Sequence, residues 1–151
     1  MTLGIVGHEA AKFTAESQRH VRRRIREAIH AFGATRVVSG ACPLGGVDIW
    51  AVEEARAVGV QTRDFPPATN DWDHGFKPRN IQIAEASDLV LCYVVDVLPK
   101  AYAGRRFDLC YHCVRNHGGG TDHVKSGGCW TVNYARGLGK PGAILVVKQT
   151  T

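Results

Sequence analysis

The sequence predicts a small α/β domain: a Rossmann-like sheet of about five parallel strands with helices on both faces. Three observations indicate this fold. Short apolar runs alternate with amphipathic stretches along the chain, which is typical of strand–helix–strand units. The apolar runs are nearly continuous, as in strands that are buried on both sides. The length of 151 residues suits one domain, so we expect residues 1–151 to form a single unit.

The predicted elements follow in chain order. The first strand is Leu3–Val6. The first helix begins after the N-cap candidate Thr14 and ends at Gly33, because its apolar residues repeat at a spacing of three to four. Residues 66–75 contain two prolines and are predicted to be a loop. The other predicted strands and helices are strand Arg36–Ser39, helix Asp48–Val58, strand Val60–Phe65, helix Pro78–Ala86, strand Asp88–Val95, helix Cys129–Leu138 and strand Ala143–Val147.

Glycines and small polar residues gather where the predicted strands end. Ligands of doubly wound folds lie outside the carboxyl ends of the strands, and glycines at a helix N-terminus let backbone amides approach an anion. These segments therefore predict a binding cleft. The alternative for each segment is that its glycines only make tight turns and that Asp48 only caps its helix. The candidate ligand-binding residues at these strand ends are Gly7, His8, Ser39, Gly40, Gly46, Asp48, Ser126, Gly127, Gly128 and Thr131.

Three of these segments, in this order, resemble the SLOG superfamily, which gathers DprA, the LOG phosphoribohydrolases and the YpsA-like proteins. They are Ser39-Gly40 with Gly45-Gly46-Val47-Asp48, Arg79-Asn80 leading into Ala86-Ser87-Asp88, and Ser126-Gly127-Gly128-x-x-Thr131. The similarity is greatest to the small YpsA-like branch. The resemblance implies a Rossmann-like sheet that binds a nucleotide or a nucleotide-derived molecule. In that comparison Gly46 and Asp48 border the ribose or base, Arg79 faces the cleft, and Gly127, Gly128 and Thr131 hold a phosphate.

The chain departs from the LOG signature Pro-Gly-Gly-x-Gly-Thr-x-x-Glu. Ser126, Trp130 and Tyr134 stand where that signature has its proline, its third glycine and its glutamate. Because this glutamate takes part in cleaving the N-glycosidic bond in LOG enzymes, the departure argues against LOG-type hydrolysis and favours binding without turnover.

The alternative function is an enzyme that hydrolyses or transfers at the N-glycosidic bond of a nucleoside phosphate. Glu9 and Asp48 are its candidate catalytic carboxylates, since a carboxylate near a ribose C1′ stabilises or attacks an oxocarbenium-like centre. His8 is a candidate acid or base. For His8 and Glu9 the simpler interpretation is an ordinary hydrogen-bonded turn.

The irregular segment 98–125 is predicted to be an insertion with a structural zinc. Cys110 and Cys113 form a C-x-x-C, and His123 and Cys129 follow, which together make a soft N/S set that suits tetrahedral zinc. His117 is the reserve fourth ligand. The alternatives are a redox-active C-x-x-C or unligated thiols. The insertion has too few apolar residues for a core of its own, and a bound zinc would order it.

Charge and terminal sequence set expectations about partners. The chain has 19 Lys and Arg against 14 Asp and Glu, a formal net charge of +5, which suits a phosphorylated ligand. No apolar run is long enough to span a bilayer, and the N-terminus does not have the pattern of a secretory signal. We therefore expect a cytoplasmic protein without a membrane partner. A homo-oligomer is compatible with the family resemblance, but the residues themselves do not indicate one.

A second alternative function is nucleic-acid binding, since DprA relatives bind single-stranded DNA. The basic residues of the first helix are Arg19, Arg22, Arg23, Arg24 and Arg26. Aromatic side chains that could stack on bases are not interleaved with them. Nucleic-acid binding therefore ranks below small-ligand binding.

Overall fold

The computed structural model describes residues 1–107, 109–113 and 121–149. In these ranges five strands alternate with four α-helices. The strands are β1 Thr2–Gly7, β2 Arg36–Ser39, β3 Gln61–Asp64, β4 Leu89–Val95 and β5 Gly142–Val147. The helices are α1 Ala15–Ala31, α2 Val47–Ala57, α3 Lys77–Ala86 and α4 Gly127–Gly137.

All five strands are parallel and lie in the order β3-β2-β1-β4-β5. Gly4 of β1 aligns with Val38 of β2 on one side and with Val90 of β4 on the other. The chain runs outward from β1 to β3 and then crosses to β4, so the strand order reverses between β1 and β4. The predicted α/β class and five-stranded parallel sheet are confirmed, and this reversal marks where a ligand site is expected.

The sheet has a hydrophobic core on each face because alternate residues of a strand point to opposite sides. On one face Leu3 and Ile5 pack with residues of α1 and α2, such as Ile25 and Trp50. On the other face Val6, Val90 and Cys92 pack with residues of α3 and α4, such as Ile83 and Val132. None of the described helices is long and apolar enough to cross a membrane.

Local capping determines where two of the helices begin. The Thr14 hydroxyl accepts a hydrogen bond from the Ser17 amide at 3.1 Å, as the predicted N-cap of α1 should. Helix α4 begins at Gly127, two residues before the predicted start at Cys129. The reason is that the Ser126 side chain accepts a hydrogen bond from the Gly128 amide at 3.1 Å and so caps the helix there. This places both glycines inside the first turn of α4.

The prediction of a loop over residues 66–75 is wrong at its end. Residues Trp72–Phe76 form a π-helical turn directly before α3. The Asp71 carboxylate accepts a hydrogen bond from the His74 amide at 2.8 Å, and the Phe76 amide donates to the Asp71 carbonyl at 3.0 Å. These two hydrogen bonds fix the turn at the mouth of the strand-end cleft described below.

The insertion 98–125 is described over residues 98–107, 109–113 and 121–125, and it contacts the carboxyl edge of the sheet. Its Tyr102 hydroxyl donates to the Glu9 carboxylate at 2.8 Å. Its far end returns to the sheet where the Val124 amide donates to the Val95 carbonyl at 3.0 Å. The insertion therefore borders the strand ends where ligand residues are expected.

Candidate functional site

A cleft of about 280 Å³ lies at the carboxyl ends of the strands, where the strand order reverses. It is bounded by the residues after β1, the first turns of α2 and α4, helix α3 and the π-helical turn. Eight of the predicted ligand-binding residues line it: Gly7, His8, Asp48, Arg79, Ser126, Gly127, Gly128 and Thr131. The other three, Ser39, Gly40 and Gly46, support neighbouring backbone.

The three supporting residues hold the strand ends together. The Ser39 hydroxyl donates to the Ile5 carbonyl at 2.6 Å, and the Gly40 carbonyl accepts from the Arg79 guanidinium. Gly46 has φ +92°, and a Cβ there would lie 2.6 Å from the Ala10 amide nitrogen. The start of α2 therefore packs directly on the backbone that follows β1, which only glycine permits.

The first turn of α4 has the features of an anion site. The amides of a first helical turn have no intrahelical acceptors and point outward; here those of Gly128 and Cys129 already donate to the Ser126 side chain and carbonyl. Thr131, one turn further on, is fully buried, and its Oγ1 has no hydrogen-bond partner within the described parts of the chain. A Cβ at Gly128 would lie 2.7 Å from Cys92 Sγ, so this turn packs closely on β4. The turn is thus fixed in place, and Thr131, which lines the cleft, carries a buried hydroxyl without a partner among the described residues.

Two lysines that sequence reasoning missed add positive charge to the cleft. The Lys12 side chain is 13% exposed, and its Nζ lies 3.9 Å from the Glu9 carboxylate. Burial lowers the pKa of Lys12. Nothing in the sequence distinguishes Lys12 from other surface lysines. Lys125 directly precedes Ser126-Gly127-Gly128, and that position could have identified it.

His8 connects β1, β4 and the insertion. Its Nε2 lies 2.9 Å from the Lys125 carbonyl, and its Nδ1 accepts a hydrogen bond from the Val95 amide at 3.1 Å. Burial, reinforced by nearby Lys12, lowers the pKa of His8 to about 3. The imidazole is therefore neutral at physiological pH, with a proton on Nε2 and both nitrogens occupied. This geometry corresponds to the hydrogen-bonded turn rather than to an acid or base.

Asp48 and Arg79 face each other across the cleft. Asp48 lies in the first turn of α2, and its Oδ2 is 4.0 Å from Arg79 Nη1. Burial raises the pKa of Asp48 to about 6, although the guanidinium acts in the opposite direction. Arg79 also donates to the Asn80 side chain at 2.8 Å. Near neutral pH the pair can therefore offer both an acceptor and donors to a polar ligand.

A second group of side chains forms a candidate metal centre beside the cleft. The ligand atoms of Cys110, Cys113, His123 and Cys129 all lie within 4.8 Å of one another, and all four residues are buried. His123 Nε2 lies 3.4 Å from Cys113 Sγ and 3.5 Å from Cys129 Sγ. This arrangement of three sulfurs and one nitrogen could hold a metal ion. The reserve ligand His117 lies outside the described residues.

The chemistry of the cluster also suits a metal. The hydrogen bond from the Cys129 thiol lowers the pKa of the Cys110 thiol, whereas burial raises the pKa of Cys113; one thiol of the cluster thus favours the thiolate, the form that binds metals. The Asp122 carboxylate lies 3.0 Å from His123 Nδ1. It therefore orients the ring so that Nε2 faces the sulfurs, as outer carboxylates do for metal-binding histidines.

Carboxylates lie beside most of the arginines on the basic face of α1. Arg22 and Arg26 donate to the two oxygens of Glu54 at 2.8 and 2.9 Å. Arg23 and Arg24 each lie 3.8 Å from Glu27. Four of the five arginines named above therefore have an acidic neighbour, which reduces the positive potential that a phosphodiester backbone needs.

Comparison with known proteins identifies the fold. No protein-family model matches the sequence, and no curated protein matches it. The structure is similar to that of the molybdenum cofactor carrier protein of Chlamydomonas reinhardtii, with a TM-score of 0.59 and 19% identity over 98% of this chain and 77% of that chain. A second structure of that carrier protein gives a TM-score of 0.59 and 20% identity over 98% and 76% of the two chains.

A third solved structure, TM1055, has a TM-score of 0.59 and 14% identity over 93% of this chain and 71% of that chain. Similarity at these identities concerns the fold. It supports the Rossmann-like architecture and does not distinguish the YpsA-like branch from other proteins of this fold.

Proposed function

We propose that this domain is a SLOG-like binding protein that holds a small phosphorylated ligand, a nucleotide or a nucleotide-derived molecule, in the strand-end cleft without turning it over. The observation that carries the proposal is the Thr131 hydroxyl, which is fully buried, lines the cleft and has no partner among the described residues. A buried hydroxyl without a partner is destabilising. A phosphate oxygen at the N-terminus of α4 would accept its proton.

The charges around the cleft support an anionic ligand. Lys12, Arg79 and Lys125 line it together with the first turn of α4. Of the two carboxylates present, Glu9 already accepts from Tyr102 and lies near Lys12. The Asp48 carboxylate lies 4.0 Å from the Arg79 guanidinium, which offsets part of its repulsion of a phosphate.

Among the described residues, no carboxylate stands at the position of the LOG glutamate. The position of the LOG glutamate is occupied by Tyr134, whose ring stacks on Trp130 at a centroid distance of 5.2 Å. The neutral His8 uses both ring nitrogens for structural hydrogen bonds. Binding is therefore a better account of these residues than hydrolysis.

We further propose that the metal centre holds a structural zinc ion. Three thiols and one imidazole make up a common structural zinc set, and four protein ligands leave no coordination position for a substrate. Zinc would link Cys110 and Cys113 of the insertion to Cys129 in the first turn of α4. Its role would be to hold the insertion against the cleft.

The similarity to a carrier protein suggests a second probe. A carrier binds its cargo without changing it, which is the behaviour proposed here. The molybdenum cofactor named for the Chlamydomonas protein is therefore included as a candidate ligand, next to the nucleotides that the phosphate site favours.

The test is isothermal titration calorimetry with AMP, GMP, CMP and ribose 5-phosphate, with the molybdenum cofactor in a separate anaerobic titration. We expect saturable binding of at least one phosphorylated compound and an unchanged ligand when the mixture is analysed by chromatography. Release of free base would favour the glycosidic-bond enzyme. No binding of any phosphorylated compound would overturn the proposal.

A further inference from the structure

The end of the cleft formed by the π-helical turn is aromatic. Trp72 and Phe76, the first and last residues of that turn, both line the cleft. Trp72 is 38% exposed, so part of this side chain is accessible to a ligand. Phe76 lies beneath the Arg79 guanidinium, 5.6 Å from its ring centroid. Neither ring is used by the phosphate site proposed above.

The exposed ring of Trp72 is held by other aromatic residues. Trp130 of α4 packs against it nearly perpendicularly, with centroids 5.2 Å apart. His112 of the insertion lies at 6.3 Å with an interplanar angle of 29°. A ring supported in this way loses little conformational freedom when a ligand stacks on it, and that favours binding.

From this arrangement we propose that Trp72 and Phe76 form a subsite for a planar heteroaromatic ring. This inference rests on the proposed phosphate site, because both groups line one cleft and a single ligand would span them. The ligand class is therefore an aromatic ring joined to a phosphate, as in a nucleoside monophosphate, rather than a sugar phosphate or an inorganic anion.

The size and polarity of the cleft agree with this class. Its volume of about 280 Å³ lies near the lower limit of small-ligand sites, roughly 300–1,000 Å³, so it suits one nucleotide rather than a dinucleotide. Stacking on an aromatic side chain tolerates any base, because every base has a π-face. Asp48 and Arg79, which line the cleft as well, can bind polar groups at the edge of the ring.

The experiment compares AMP with ribose 5-phosphate, which differ by the base alone. We expect the wild-type protein to bind AMP at least tenfold more tightly in calorimetry, a difference of about 1.4 kcal/mol. Trp72→Leu should remove most of this preference and leave the affinity for ribose 5-phosphate within about twofold. Trp72→Phe should retain the preference, because it keeps an aromatic face.

Phe32→Leu is the matched control, since it removes a similarly exposed ring, 47% exposed, at the end of α1 and outside the cleft. It should change neither affinity. AMP should also quench the tryptophan fluorescence of the wild-type protein and have little effect in Trp72→Leu.

The outcomes separate the two proposals. Equal affinity for AMP and ribose 5-phosphate, or equal losses for both in Trp72→Leu, would overturn the aromatic subsite and leave the phosphate site standing. If none of the phosphorylated compounds in the calorimetric series binds the wild-type protein, the phosphate site is wrong and the subsite fails with it.

Discussion

Replacing Thr131 with valine should have opposite effects on stability and on binding. Valine has nearly the shape of threonine but no hydroxyl, so Thr131→Val removes the one buried side-chain oxygen that has no partner in the described chain. An unpaired buried polar group costs about 1–3 kcal/mol. We expect the free energy of unfolding of the ligand-free protein to rise by about 1 kcal/mol, which is roughly 2–4 °C in melting temperature for a domain of this size.

The same substitution should weaken the binding of a phosphorylated ligand. A hydrogen bond to a charged acceptor contributes roughly 1.5–3 kcal/mol, which corresponds to a loss in affinity of about 10- to 100-fold. Differential scanning calorimetry without ligand and titration calorimetry with AMP measure the two effects.

Thr62→Val on β3 is the control, because the Thr62 hydroxyl accepts from Arg56 at 3.3 Å outside the cleft. It should leave AMP binding unchanged. A Thr131→Val protein that is less stable than the wild type, or that binds AMP equally well, would refute the assignment of this hydroxyl to the ligand.

Three further predictions follow from the metal centre, His8 and the first turn of α4. Elemental analysis of dialysed protein should find about one zinc per chain. Cys110→Ser should lose the metal and melt at a lower temperature, whereas the control Cys42→Ser, outside the cluster, should keep the metal and the wild-type melting temperature. A metal-free protein of full thermal stability would contradict the zinc site. Burial lowers the pKa of His8 from 6.5 to about 3, so its contribution to stability is complete above pH 6.5 and falls as the pH drops towards 3, because only the unfolded chain takes up the proton. Urea unfolding should show this as a loss of about 2 kcal/mol between pH 7 and pH 5 that is absent in His8→Gln, and equal pH slopes for both proteins would argue against it. Gly128→Ala places a Cβ 2.7 Å from Cys92 Sγ and should destabilise the protein by about 1–3 kcal/mol. The control is Gly127→Ala, whose Cβ would meet no atom within 4 Å. It should unfold at nearly the wild-type urea concentration.

The fold could be predicted because its signals are local and repeated. The seven residues of β4 are all buried, and such a continuous apolar run has few alternatives to a central strand. The apolar face of α1 and its Thr14 cap likewise define that helix from sequence alone. The π-helical turn at Trp72 is not predicted because it depends on hydrogen bonds that Asp71 accepts from the His74 and Phe76 amides, and the sequence there has the composition of an ordinary loop.

The candidate site was predictable in part. The four clustered ligands Cys110, Cys113, His123 and Cys129 follow a spacing that zinc sites use, and the structure brings them together. Lys12 and Trp72 could not be assigned to the cleft, since each comes from a separate short segment that carries no motif. Only the three-dimensional packing of a turn after β1 and a turn before α3 places them on one ligand surface.

The position of Cys129 in the first turn of α4 has a thermodynamic consequence. Its sulfur belongs to the Cys/His cluster that could hold a metal ion, while the neighbouring Gly128 lines the cleft. The binding of zinc to the cluster and the binding of the proposed ligand to the cleft are then linked equilibria. The factor by which the ion changes the affinity for the ligand equals the factor by which the ligand changes the affinity for the ion. If that factor exceeds one, a saturated cleft should let a competing chelator remove less zinc at equilibrium, so that metal retention reports on occupancy.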